Sequence, residues 1–95
     1  MMNEVEVLFS NRAIERGGIL LFSKNDTLDF IKQCRIYGIG ILGIDGFYIS
    51  ELLTRPSLED SIDYSTKFPN SCIYKMALDF VEQRNDNLYF EIICE

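Results

Sequence analysis

ILLFSKNDTLDFIKQCRIYGIGILGIDGFYI, residues 19–49, decides the reading of this chain. Ile19-Leu20-Leu21-Phe22 is a short apolar run between Gly18 and Ser23, the mark of a buried strand. Ser23 or Asn25 can then cap a helix reaching about Tyr37. Asp26 and Asp29 fall early in it, Lys32 and Arg35 late, as the helix dipole favours. Leu28, Ile31, Cys34 and the stem of Arg35 mark one face, widened by Phe30 and Tyr37. Gly38 is placed to end the helix, and Ile39-Gly40-Ile41-Leu42-Gly43-Ile44 reads as a second buried strand. Phe47-Tyr48-Ile49 can continue it after a turn at Asp45-Gly46. Strand, helix and strand in so few residues form a βαβ unit, which predicts two parallel strands.

Outward from that unit the pattern is weaker. Residues 4–9, EVEVLF, alternate acidic and apolar side chains as a short strand does, and residues 10–16 read as a short helix stopped by Gly17-Gly18. Residues 50–69 read as an irregular connection, with a short edge strand at 61–64, because Arg55 precedes Pro56. Asn70 or Ser71 can cap a second helix from Cys72 to about Arg84. Its apolar stripe is Ile73, Met76, Ala77, Phe80, Val81 and Arg84, widened by Tyr74 and Leu78. A turn at Asn85-Asp86-Asn87 leads to a last strand, residues 88–94, rich in aromatic and β-branched side chains. The expected fold is α/β, with α+β as its variant: residues 1–95 form one domain, a single sheet carrying two main helices.

Composition removes several chemistries. The chain has 95 residues, 9 basic and 15 acidic, a net charge of −6 and no histidine. A Ser-His-Asp triad, a Cys-His pair and a His-ligated metal are therefore all excluded. Nucleic acid is a poor partner for this charge, because phosphate binding needs cationic side chains. Ser10, Ser23 and Ser71 lack a base and read as caps or turn residues. Cys34, Cys72 and Cys94 make an odd, widely spaced set with no CxxC, expected as small buried hydrophobes in a reducing compartment. No signal-peptide pattern opens the sequence and no apolar run approaches membrane length, so a cytoplasmic protein with no membrane partner is expected. The balance favours binding over catalysis: no catalytic, cofactor or metal residue is assigned.

Two motifs need weighing. Gly38-Ile39-Gly40-Ile41-Leu42-Gly43 fits G-x-G-x-x-G literally, but a dinucleotide site needs a strand before the glycines and a helix after them. Here the order is reversed, so the glycines read as a helix stop and strand residues. The second motif is charge. Up to Tyr48 there are 5 basic and 6 acidic residues; beyond it there are 4 and 9. Asp45, Glu51, Glu59, Asp60 and Asp63 lie close in sequence with only Arg55 among them. Their spacing matches no calcium loop. A solvated acidic surface is the simplest reading. A docking surface for a basic partner is the functional one, because Phe47, Tyr48 and Tyr64 interleave with the acids as interface anchors do.

Ile41-Leu42-Gly43-Ile44-Asp45-Gly46-Phe47, continued by Pro56-Ser57-Leu58-Glu59-Asp60-Ser61-Ile62-Asp63-Tyr64-Ser65, resembles small bacterial immunity proteins of polymorphic-toxin and contact-dependent growth inhibition systems. With the preceding helix the resemblance covers roughly residues 19–65. It implies a cytoplasmic protein encoded beside a toxin, whose catalytic domain it neutralises by tight binding. Such families vary in their contact residues, so the resemblance assigns none here. An acidic inhibitor suits a basic nuclease toxin, onto which its charge would steer it. The alternative is a small regulatory or adaptor domain that binds a ligand or protein; a carboxylate enzyme ranks last.

Overall fold

The computed structural model describes residues 2–64 and 72–95. Its elements in chain order are α1 (Glu4–Phe9), a 3₁₀ turn (Ser10–Arg12), β1 (Ile14–Arg16), β2 (Ile19–Ser23), α2 (Lys24–Tyr37), β3 (Ile41–Ile49), β4 (Thr54–Asp63), α3 (Ile73–Glu82) and β5 (Tyr89–Cys94). The five strands form one antiparallel sheet in the order β1-β2-β5-β3-β4, giving an α+β domain.

The β2–α2–β3 unit is present but split. Both β2 and β3 run antiparallel to β5, so they share a direction as expected, yet β5 lies between them and takes both sets of hydrogen bonds. Ser23 caps α2 by accepting from the Asp26 amide, and Asn25 lies within the helix. Gly38 ends α2 at φ 70°, a left-handed conformation that costs glycine nothing. The G-x-G-x-x-G stretch thus runs from a helix C-terminus into a strand.

Several expectations need correction. Residues 4–9 are helix, not strand: Asn3 and Glu6 form a capping box, with both bonds at 2.8 Å, and Val5 and Phe9 share the buried face. Residues 10–16 are not a helix but the 3₁₀ turn and β1, which pairs with β2 across Gly17-Gly18. Asp45-Gly46 is not a turn, because β3 continues through it with a register shift between Ile44 and Gly46. The edge strand expected at 61–64 is present through Asp63 but starts far earlier, so residues 54–60 are strand rather than irregular connection; Pro56 is tolerated because β4 lies at the sheet edge. Arg35 and Tyr37 are exposed, while Thr27 is buried and donates to Phe22 O at 3.3 Å. The proposed caps Asn70 and Ser71 lie outside the described residues.

The main core joins Val5 and Phe9 of α1, Phe22 of β2, Phe30, Ile31 and Cys34 of α2, and Phe90 and Ile92 of β5 to the buried stripe of α3, Ile73, Ala77 and Val81. Lys24 ties the start of α2 to the end of α3, its ammonium donating to Glu82 O and Arg84 O at 2.8 Å and to Asp86 Oδ1 at 3.0 Å. These acceptors include carbonyls left open where α3 ends. On the opposite sheet face Leu21 is also buried, outside the main cluster. The sheet is rolled: although β1 and β4 are its two edges, Arg16 Nη1 donates to Thr54 Oγ1 at 3.2 Å and Leu53 O at 3.4 Å.

Candidate docking surface

The eight residues singled out from the sequence all fall on β3, β4 and the segments that adjoin them, but they divide sharply. Phe47 and Tyr64 are interior side chains, the latter wholly buried, with its amide bonded to Leu42 O at 2.7 Å. Neither projects as a docking anchor: Tyr64 belongs to the main core, and Phe47 is buried outside that cluster. The Tyr64 hydroxyl has no hydrogen-bond partner among the described residues, and burial pushes its pKa up. Tyr48 is exposed, with the Arg55 guanidinium 5.6 Å from its ring centre. Glu51, Glu59 and Asp63 are exposed.

Asp60 is half-buried and tied down on several sides. Between the pairs Ile44↔Ile62 and Gly46↔Ser57, β4 bulges away from β3. Ser57 Oγ donates to Asp60 Oδ2 at 2.7 Å, Ser61 Oγ to Ser57 O at 2.8 Å, and the Gly46 amide to Ser61 Oγ at 3.2 Å. Arg84 closes the far side, 3.7 Å from Asp60 Oδ1, donating to Glu59 O at 3.3 Å and stacked 4.4 Å from the Phe80 ring centre. Gly46 is required by this approach, since a Cβ there would stand 2.6 Å from Asp60 O and 2.8 Å from Asp60 Cβ. Gly46→Ala should therefore cost about 1–3 kcal/mol, read as a Tm lowered by about 5 °C or more; an unchanged Tm would refute the close packing.

The bulge throws Leu58 outward, 89% exposed, beside Glu59. At the β3–β4 hairpin tip the Ser50 amide donates to Leu53 O at 2.8 Å and the Leu53 amide to Ser50 Oγ at 3.3 Å. This tight turn presents Glu51 with Leu52 and Leu53, which are 91% and 70% exposed. A groove of about 490 Å³ runs beside the bulge, with Leu58, Ile62 and Ile93 as apolar wall and Asp45 and Asp63 as acidic wall. Asp45 pairs across strands with Glu91. Burial pushes the Glu91 carboxyl above its usual range, and the Asp45 charge adds to this.

A carboxyl with a raised folded-state pKa destabilises the fold when ionised and regains stability as pH falls through that pKa. Glu91→Gln should thus raise Tm at pH 7, with the gain vanishing below about pH 4, where both forms are neutral. A Tm difference independent of pH would contradict this.

No family model matches the chain, and no curated protein matches it. Function rests on the site alone. Among the described residues no three carboxylate or thiol side chains gather to hold a metal ion, and no helix is long and apolar enough to cross a membrane. The sequence reading names the acids between Asp45 and Asp63 and does not assign the exposed leucines beside them. Leu52-Leu53 beside Glu51 was the available signal, two large aliphatic residues in a stretch too polar to be core.

Proposed function

We propose that this chain is an immunity-type inhibitor that binds the catalytic domain of a cognate bacterial toxin in the cytoplasm. Docking is through the β3–β4 hairpin and the β4 edge. The observation that carries this reading is the set of exposed leucines: Leu52 and Leu53 beside Glu51 at the hairpin tip, and Leu58 beside Glu59 on the edge strand β4, which ends at Asp63. Adjacent exposed leucines rimmed by acids are the kind of apolar surface that a protein partner covers. The acidic rim suits a basic surface such as a nuclease substrate cleft, and would steer encounter with it. The acid-walled groove beside Leu58 is suited to a lysine or arginine side chain of the partner. Co-expression with the toxin domain of the neighbouring gene should restore growth. Unchanged toxicity, or a neighbouring gene that encodes no toxin, would overturn the proposal.

One observation favours a regulatory domain as the second reading. β2 and β5 pair only at Phe22↔Phe90 and Ser23↔Tyr89, and a cleft of about 320 Å³ lined by Glu6, Glu15 and Glu91 opens nearby. A small organic cation that raised Tm in the wild type, but not in Glu91→Gln, would favour that reading.

A further inference from the structure

Cys34 and Cys94 are far apart in sequence and side by side in the fold. The Ile39 amide donates to Cys34 O at 2.9 Å, the chain enters β3, Ile41 pairs with Cys94, and the Glu95 amide donates to Gly40 O at 3.0 Å. The last turn of α2 is thereby set against the end of β5, where Cys94 packs on the core cluster that contains Cys34 and the two thiols interact. Cys34 is wholly buried, whereas Cys94 is partly open to solvent. Their environments are unequal. The Cys34 thiol donates to Cys94, and the Asn3 side chain also bonds it, which together hold the Cys94 thiol below its usual value against burial and the nearby Glu6 charge. Cys34 keeps its proton and is pushed up by that same bond, by burial and by the Cys94 and Glu6 charges. Tyr74 and Glu95 complete the charged and titratable surroundings.

We propose that Cys34 and Cys94 form a peroxide-oxidisable dithiol, with Cys94 as the reacting sulfur and Cys34 as the resolving one. A partly exposed thiol beside a buried partner thiol is the arrangement such chemistry needs. The Cys94 thiolate attacks hydrogen peroxide, forming an S–O bond as the O–O bond breaks, and the leaving hydroxide takes a proton to become water. Cys34 sulfur then attacks the sulfenic sulfur. The S–S bond forms, the S–O bond breaks, and the departing oxygen leaves as a second water. Two thiols lose two electrons and two protons in all, and one peroxide is reduced to two waters. The resulting bond would tie the end of β5 to α2.

The test is mild hydrogen peroxide treatment of the folded protein, then alkylation in denaturant and peptide mass mapping. Wild type and Cys72→Ser should each lose roughly 2 Da, with Cys34 and Cys94 joined in one cross-linked peptide pair. Cys34→Ser should instead accumulate a dimedone-reactive sulfenic acid at Cys94. Because that buried substitution can impair folding, the wild-type map decides. Oxidation confined to the exposed Cys72, with Cys34 and Cys94 both alkylated as thiols, would overturn the proposal.

Discussion

Phe30→Ala is expected to cost about 3–5 kcal/mol, the usual range for emptying a buried aromatic site. Phe30 is fully enclosed, and its ring lies 5.4 Å from that of Phe9 and 5.1 Å from that of Phe22. It therefore joins α1, α2 and β2 at one point, and each ring contributes beyond its buried area. A domain of this size is stable by only about 5–14 kcal/mol. The loss should lower the urea midpoint by about 2 M, and Phe30→Leu should cost much less. A change below about 1 kcal/mol would mean that α1 does not pack as described.

The second large effect concerns binding alone. Leu52→Ser, Leu53→Ser and Leu58→Ser together should weaken the toxin complex about a hundredfold or more, as expected when interface anchors are truncated. Tm should hardly change, because these side chains touch solvent rather than core. Converting Glu51, Glu59 and Asp63 to their amides should act differently, slowing association and flattening its salt dependence. Asp60 is not part of that set. Its partners are Arg84 and Ser57, so Asp60→Asn should loosen the bulge instead.

The elements legible in the sequence are those with local causes. β2 is an apolar run up to Ser23, α2 has a Ser23 cap and a Gly38 stop, and four of the six β5 residues are aromatic or β-branched. EVEVLF satisfies strand alternation as well as the i, i+4 spacing of Val5 and Phe9, so alternation alone does not reveal α1. The Asn3 and Glu6 capping pair was the signal that separates them. β4 was hidden by Pro56 and by its polar outer face, both of which an edge strand accepts. The insertion of β5 between β2 and β3 has no local signature, since it depends on which distant strand supplies the better face. The same holds for the site. Charge is additive along the chain, so the acidic address could be read. The inward turn of Phe47 and Tyr64, the Arg84 latch on Asp60 and the meeting of Cys34 with Cys94 are products of long-range packing.

Calorimetric titration of this chain with the product of the neighbouring gene, proposed to be its toxin, tests the central claim most directly. The account predicts a one-to-one complex with a Kd on the order of nanomolar, weakened about a hundredfold or more by the triple leucine substitution at unchanged Tm. No binding heat at any temperature, or a complex indifferent to Leu52, Leu53 and Leu58, would contradict it.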